Sequence, residues 1–249
     1  MSLDLNLRLI PANTEVSAPT VLLIHGFASS ADLNWERSGW VRHFTDNGRN
    51  VALVDLPGHG EDPHRATGDW APSRIREALA AGITELEHPV DVVGYSLGAR
   101  LGWEFAAKHP ELVRRLVIGG PGSLDPLAAF ALNEARNFVS TGESIADEYT
   151  AKVMRIATNE KSNDFDALFK LIEGIKTEPY DPGEAIPAAP TLLVAGDQDD
   201  LATTMPHLRR LLTQAGTRSE VLWLAGRNHA NAVTSRDFKS AALRFLDTE

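Results

Sequence analysis

The chain has 249 residues, a hydrophobic content of 43% and a formal net charge of −10 at pH 7. A chain of this length can bury one sizeable core, and many α/β folds of this size form a single domain. The acidic balance argues against binding to nucleic acid or to an anionic membrane surface, because both require clusters of Lys and Arg. We therefore expect a small molecule as the partner, and the oligomeric state stays open.

The chain contains no cysteine, which excludes disulfides, thiolate metal sites and a cysteine nucleophile. Residues 1–6 lack the basic and apolar segments of a signal peptide, and no run approaches the roughly 20 apolar residues that span a bilayer. These features favour a cytoplasmic protein without a membrane partner.

The predicted elements alternate between strands and helices along most of the chain. Residues 3–10 alternate in polarity, with Leu3, Leu5, Leu7 and Leu9 on one face, and predict an edge strand. Continuous apolar runs predict strands buried on both faces, at 20–24, 50–54, 90–93, 115–118, 191–195 and 220–224. Helical spacing occurs at 73–86, 97–108, 205–214 and 235–245. The expected fold class is α/β, a mostly parallel sheet flanked by helices, with ligands at the carboxyl ends of its strands.

The strand at 20–24 ends in His25-Gly26-Phe27. Gly26 permits a tight turn, and the backbone N–H of Phe27 is a candidate donor to an oxyanion hole. His25 precedes every other candidate catalytic residue in the chain, and we interpret it as a brace for this loop rather than as a base.

Asp55-Leu56-Pro57-Gly58-His59-Gly60 follows the strand at 50–54 and places a histidine among carboxylates. The glycines and the proline favour a rigid turn, and no second histidine stands at a metal-ligand spacing on a common helix. We predict no metal and no cofactor.

A nucleophile turn is predicted at Gly94-Tyr95-Ser96-Leu97-Gly98, between the strand at 90–93 and the helix at 97–108. Glycines on both sides of Ser96 allow the neighbouring backbone to approach a strained turn. The N–H of Leu97, at the start of the helix, would face developing negative charge. The alternative interpretation is a glycine-flanked turn that Ser96 merely caps.

The alternation stops between residues 122 and 190, where helical segments at 126–139, 145–158 and 164–175 follow one another. Four prolines then mark the return to the sheet. This pattern predicts a helical lid at 122–186, inserted into a core formed by 1–121 and 187–249.

A serine nucleophile requires a histidine base held by a carboxylate. His229 lies in a glycine-containing loop after the last predicted strand and is the predicted base, whereas His207 lies within a predicted helix. Asp197, Asp199 and Asp200 follow the strand at 191–195. Asp199 is the predicted acid from its spacing after Gly196, and Asp200 stays open as the alternative.

Five ordered motifs resemble the successive landmarks of the α/β-hydrolase superfamily: His25-Gly26-Phe27, residues 55–60, residues 94–98, residues 196–199 and His229. The resemblance implies a serine hydrolase that cleaves a small or medium carboxylic ester through an acyl-Ser96 intermediate. The fold also hosts thioesterases, lactonases, C–C bond hydrolases and perhydrolases. A serine at the turn argues against the dehalogenases and epoxide hydrolases of the superfamily, which use aspartate there.

Residues 94–100 are also similar to the corresponding turn of the menaquinone-pathway lyase succinyl-hydroxycyclohexadiene carboxylate synthase. In that family the positions that match Tyr95 and Arg100 help to bind a polyanionic substrate. The resemblance makes these two residues candidate substrate contacts, and it keeps a lyase or a C–C bond hydrolase as alternatives. A ligand receptor of the same fold that makes little use of its triad is a more distant alternative.

Overall fold

A computed structural model describes residues 3–16, 18–62, 68–86, 89–161 and 163–248. Its sheet has seven strands, which are β1 (Arg8–Ile10), β2 (Val21–Ile24), β3 (Val51–Val54), β4 (Val90–Tyr95), β5 (Val113–Gly119), β6 (Thr191–Gly196) and β7 (Ser219–Leu224). Their order across the sheet is β1-β3-β2-β4-β5-β6-β7. β1 pairs with β3 in antiparallel orientation and all other neighbours are parallel. The predicted α/β class with a mostly parallel sheet is confirmed.

Eight α-helices lie in the described residues: α1 (Trp40–Thr45), α2 (Pro72–Thr84), α3 (Leu97–Lys108), α4 (Leu132–Thr141), α5 (Glu148–Asn159), α6 (Phe165–Thr177), α7 (Met205–Gln214) and α8 (Arg236–Asp247). α3 and α7 have the predicted bounds. α1 and a π-helical turn at Asp32–Glu36 were not predicted from the sequence.

The central strands are apolar on both faces because helices cover the sheet on both sides. Leu22 and Ile24 of β2 join the core under α2, α3 and α7. Val21 and Leu23 of the same strand face α1 and α8. Continuous apolar runs are the pattern expected for such doubly covered strands.

The predicted edge strand is correct in kind but too long. Its ladder is confined to Arg8–Ile10, since the partner strand β3 offers only Val51–Leu53 to this edge. The leucines do not share one environment either, because Leu5 is buried whereas Leu9 is exposed.

Helices α4, α5 and α6 follow one another in the chain segment that connects β5 to β6. Asp147 and Asp164 cap α5 and α6 by accepting backbone N–H groups. Ala157 of α5 and Leu168 of α6 pack against Ala28, in the loop after β2. The segment therefore covers the carboxyl edge of the sheet, and its role as a lid with bounds 122–186 stays a prediction.

None of the helices in the described ranges combines the length and apolar character that a bilayer-spanning segment needs. Met1 and Ser2, part of the segment on which the expectation of a missing signal peptide rests, lie outside the described residues.

Candidate active site

Three loops at the carboxyl edge of the sheet bring Ser96, Asp199 and His229 together. Ser96 directly follows β4, Asp199 follows β6, and His229 follows β7. The Ser96 Oγ lies 2.8 Å from the His229 Nε2. The His229 Nδ1 lies 2.8 Å from the Asp199 Oδ2. This continuous chain of hydrogen bonds has the serine, base and acid geometry that activates a hydroxyl.

The structure distinguishes the three carboxylates that follow β6. Asp199 is 4% exposed, and its second oxygen accepts the Leu201 N–H at 3.0 Å. The side chain of Asp200 is 84% exposed and lies 3.6 Å from Lys152. The Asp197 Oδ1 accepts the Gly226 N–H at 2.8 Å and so holds the loop after β7. Asp199 is therefore the carboxylate placed to orient His229.

Ser96 adopts φ 55° and ψ −112°, a conformation that non-glycine residues rarely occupy. A methyl group built on Gly94 would lie 2.2 Å from the Gly98 carbonyl oxygen. One built on Gly98 would lie 2.0 Å from the Ile24 carbonyl oxygen. Both glycines are thus required for the start of α3 to pack against β2 and β4.

Side chains hold the loop after β2 on both sides of Phe27. The Gly26 N–H donates to the Asn34 Oδ1 at 2.9 Å, and the Ala28 N–H donates to the His59 Nε2 at 3.0 Å. Asn34 belongs to the π-helical turn, a form frequent at functional sites. Because the N–H groups of Gly26 and Ala28 already donate hydrogen bonds within the protein, the Phe27 N–H is the donor in residues 26–28 that remains available to a ligand.

Phe27 and Leu97 both line the cavity that contains Ser96. A methyl group on Gly26 would lie 3.3 Å from the Ser96 Cβ, so this loop packs directly against the candidate nucleophile. The placement suits an oxyanion hole formed by the two backbone N–H groups.

His25 and His59 are buried braces of the neighbouring loops. The His25 Nε2 accepts the Leu56 N–H at 2.9 Å, and its Nδ1 lies 2.8 Å from the Gly26 carbonyl oxygen. Burial lowers the pKa of His25, and burial together with the neighbouring His25 lowers the pKa of His59 to about 3. Both rings are therefore neutral at pH 7, and His25 has the bracing contacts that its position in the sequence predicts.

The hydroxyl of Tyr95 donates to the His229 carbonyl oxygen at 2.5 Å. Its ring is 4% exposed at the cavity wall, and burial raises its pKa above the ordinary value. Tyr95 was predicted as a substrate contact, but these contacts suit a residue that positions the loop of His229.

Arg100 also lines the cavity, as a substrate contact would. Its guanidinium is already bonded to the carboxylate of Asp125, to the Glu178 carbonyl oxygen at 2.6 Å and to the Glu104 carboxylate at 3.2 Å. The Arg100 charge is therefore compensated within the protein.

Gly120, directly after β5, is a site residue that the sequence analysis missed. It has φ +60°, and a methyl group on it would lie 2.9 Å from the His229 Cε1 and 3.4 Å from the Asp199 Oδ2. The glycine-rich run at residues 119–122, at the end of a buried strand, was the available signal.

The cavity beside Ser96 has a volume of about 390 Å³. Most of its wall is apolar, and includes Phe27, Leu97, Leu127, Val153, Ile156 and Val233. Within the described residues, no group of His, Asp and Glu side chains is arranged to hold a metal ion. The largely apolar wall can hold an apolar group of a small molecule beside the Ser96 hydroxyl.

Comparison with known proteins identifies the family. Residues 19–144 match the sequence profile of the alpha/beta hydrolase fold family. Because this match covers half of the chain, the protein belongs to that family, and the resemblance seen in the sequence is confirmed.

Two curated relatives are esterases. An esterase of Mycobacterium tuberculosis is 36% identical over 103 residues, which cover 41% of this chain and 33% of the relative. The pimeloyl-[acyl-carrier protein] methyl ester esterase of Methylococcus capsulatus is 30% identical over 189 residues, 72% of this chain and 66% of the relative. The chain thus matches between a third and about two thirds of the length of these relatives.

Solved structures share the fold over nearly the whole chain. MenH from S. aureus superposes with a TM-score of 0.74 at 20% identity, covering 96% of this chain and 97% of that one. A carboxylesterase of Nitrososphaera gargenis also gives a TM-score of 0.74, at 14% identity, covering 97% of this chain and 93% of that one. At such identities the similarity describes the fold.

Proposed function

We propose that this protein is a serine hydrolase that cleaves small or medium carboxylic esters, with Ser96 as nucleophile, His229 as base and Asp199 as the orienting acid. The observation that carries the proposal is the pair of 2.8 Å contacts that links these three side chains. The esterase activity in the names of two relatives supports the same reaction.

In the first half of the reaction, His229 takes the Ser96 proton as the Oγ attacks the ester carbonyl carbon. The N–H groups of Phe27 and Leu97 stabilise the resulting oxyanion, and loss of one such donor typically costs about 3 kcal/mol. His229 then gives the proton to the departing alkoxide, which leaves as an alcohol and forms acyl-Ser96. Water, deprotonated by His229, releases the acid and restores Ser96. No cofactor takes part in these steps.

The shape and polarity of the cavity support a substrate with an apolar acyl group. Leu127, Val153 and Val233 contribute apolar wall beside the nucleophile. Leu124 and Ile156 also line the cavity and are exposed, so the apolar surface continues to the solvent. An acyl chain can therefore lie along this wall while its carbonyl group contacts Ser96.

The lyase alternative uses the same triad to abstract a proton from a polyanionic substrate. Such a substrate needs uncompensated cations, but Arg100 is bonded to Asp125 and Glu104. The lid cations Arg136, Lys152 and Arg155 were the other candidates for such contacts. Arg136 and Lys152 have acidic partners in Glu173 and Asp200, and none of the three is among the described residues that line the cavity. The described charges therefore favour the ester hydrolase over the lyase.

The test is initial-rate measurement on p-nitrophenyl esters of increasing acyl length, for the wild type and Ser96→Ala. We expect rates above background that peak at one length, and no enzymatic rate in Ser96→Ala. A wild type inert on every ester would contradict the proposal.

The role of Asp199 is tested with a matched pair of variants. Asp199→Asn should lower kcat by about 10²- to 10⁴-fold, because the imidazole loses the carboxylate that fixes its tautomer. Asp200→Asn removes the same charge one residue away, from an exposed side chain, and should leave kcat close to that of the wild type. Equal losses in the two variants would contradict the assignment of Asp199.

A further inference from the structure

Two of the described residues that line the cavity beside Ser96, Arg100 and Asp125, form a buried ion pair. Arg100 lies one helical turn after Ser96, since its backbone N–H donates to the Ser96 carbonyl oxygen at 3.2 Å. Its guanidinium is bonded to the Asp125 carboxylate, and both side chains are 6% exposed. Arg100 and Asp125 thus both line the cavity that contains Ser96.

The charges around Arg100 form a balanced group of four. Glu104 is shared between Arg76, at 2.7 Å, and Arg100, at 3.2 Å. Arg76 and Glu104 compensate each other, which leaves Asp125 as the counter-charge of Arg100. Arg76 and Glu104 are not among the described residues that line the cavity, whereas Arg100 and Asp125 are.

Among the described residues that line the cavity, Arg100 is the one Lys or Arg side chain, and Asp125 compensates its charge. A carboxylate on an acyl chain would lose its hydration in this cavity without gaining an uncompensated cation.

We propose that Asp125 is a specificity-determining residue that neutralises Arg100 and thereby restricts the acyl pocket to uncharged acyl chains. The inference rests on the proposed function for the position of the ester bond, and it adds the class of acyl group. Esters of monocarboxylic acids are substrates, and half-esters that carry a terminal carboxylate are excluded.

Asp125→Asn is a suitable probe because it removes the charge and retains an acceptor for the cap of the following turn. Asp125 caps the turn at Pro126–Ala129 by accepting the Leu127 N–H at 3.0 Å, and asparagine is an equally good cap. With the amide oxygen at the cap, the amide nitrogen takes the place of the Oδ2 that Arg100 contacts, so the hydrogen bond between the two side chains is lost together with the charge. The variant therefore leaves one uncompensated positive charge in the wall of the pocket.

The experiment measures dissociation constants calorimetrically in the Ser96→Ala background, for methyl hexanoate and for the monomethyl ester of hexanedioic acid. The acyl chain of the first ligand ends in a methyl group, and that of the second ends in a carboxylate. With Asp125 present we expect the neutral ester to bind at least tenfold more tightly than the anionic ester. Asp125→Asn should lower the ratio of the two dissociation constants by about tenfold or reverse the preference.

Two further variants test whether the lost compensation of Arg100 causes the change in the binding ratio. Glu104→Gln removes one negative charge from the same group of four but away from the lining, and should keep the wild-type ratio. Arg100→Met combined with Asp125→Asn should abolish the gain in binding of the anionic ester, because the uncompensated cation is then missing. An unchanged ratio in Asp125→Asn, an equal change in Glu104→Gln, or no binding of either ester would overturn the inference.

Turnover of the same two esters, measured with Ser96 intact, separates this inference from the proposed function. Selective binding without turnover would leave the specificity assignment standing and contradict the esterase. Turnover of both esters at equal kcat/KM would support the esterase and contradict the role of Asp125.

Discussion

At the scale of single residues, Gly120 limits the space beside the proposed triad. Its φ of +60° favours glycine, and its missing side chain leaves room for the imidazole of His229. Gly120 also donates its N–H to the Val194 carbonyl oxygen at 2.8 Å, which ties the end of β5 to β6. The backbone here therefore cannot move away from His229 without breaking the sheet.

We expect Gly120→Ala to lower kcat/KM by about 100-fold, the effect of displacing a catalytic group by about 1 Å. The new methyl group would contact His229 at 2.9 Å and push the ring from its line to Ser96. Initial rates on the preferred p-nitrophenyl ester measure the loss.

Gly216→Ala is the matched control for this substitution. Gly216 also has a positive φ, of +75°, but a methyl group there would meet nothing within 4 Å. Both variants should lose about 1–3 kcal/mol of stability from backbone strain, and only Gly120→Ala should lose activity. Equal activity in the two variants would show that the space next to His229 is not critical.

At the scale of elements, the loops after β2 and β3 hold each other in place through two histidines. His25 comes from the first loop and accepts the N–H of Leu56 in the second. His59 comes from the second loop and accepts the N–H of Ala28 in the first. The rings lie 5.1 Å apart. This reciprocal arrangement requires an unprotonated Nε2 on each ring, and it positions the Phe27 N–H.

This requirement predicts a loss of stability in acid. The pKa of His59 is about 3 in the folded protein and about 6.5 in the unfolded chain. Between these values the unfolded chain binds the additional proton, so stability is fully present above pH 6.5 and falls as the pH is lowered. We expect His59 to contribute a loss of about 2 kcal/mol between pH 7 and pH 5.

Urea unfolding of the wild type and of His59→Gln at the two pH values measures this contribution. The amide oxygen of Gln can accept the Ala28 N–H but does not titrate in this range. The variant should therefore lose about 2 kcal/mol less than the wild type between pH 7 and pH 5. Identical losses in the two proteins would show that protonation of His59 does not limit stability.

At the scale of the whole molecule, a buried charge cluster lies at the amino edge of the sheet, opposite the candidate active site. Asp91 of β4 is bonded to Arg49 at 2.6 Å and to Arg114 at 2.6 Å. The same two arginines donate to the Leu246 carbonyl oxygen at 3.0 and 2.5 Å. The cluster thus joins β4, β5 and the segment before β3 to the end of α8.

We expect Asp91→Asn to lower the free energy of unfolding by about 3–5 kcal/mol, because Arg49 then loses its buried counter-charge. Arg49 is 1% exposed and Asp91 is 0% exposed. Urea unfolding measures the change. The kcat/KM of the folded variant should equal that of the wild type, since the cluster is remote from Ser96.

Asp247→Asn is the control, because Asp247 also pairs with Arg49, at 2.8 Å, but is 54% exposed. This variant should lower the free energy of unfolding by no more than about 1 kcal/mol. If Asp247→Asn destabilises the protein as much as Asp91→Asn, burial of the pair is not the cause.

Features that follow from a local pattern of residues could be predicted before the fold was known. Buried strands appear as continuous apolar runs, and the turn at Ser96 appears as two glycines at fixed positions between a strand and a helix. His229 was distinguished from His207 by its loop position after the last strand. These signals are readable because each arises from the conformation of a few consecutive residues.

Which side chains come into contact can be seen only in the folded protein. Asp199 and Asp200 are adjacent in sequence, and it is the direction in which each side chain points that places one against His229 and the other in solvent. The length of β1 depends on how much of β3 remains free at the edge. The sequence identifies Arg100 as a cation, and only the packing of Asp125 against it in the folded protein compensates that charge. Charge compensation and proximity are relations between distant segments, so no local pattern of residues contains them.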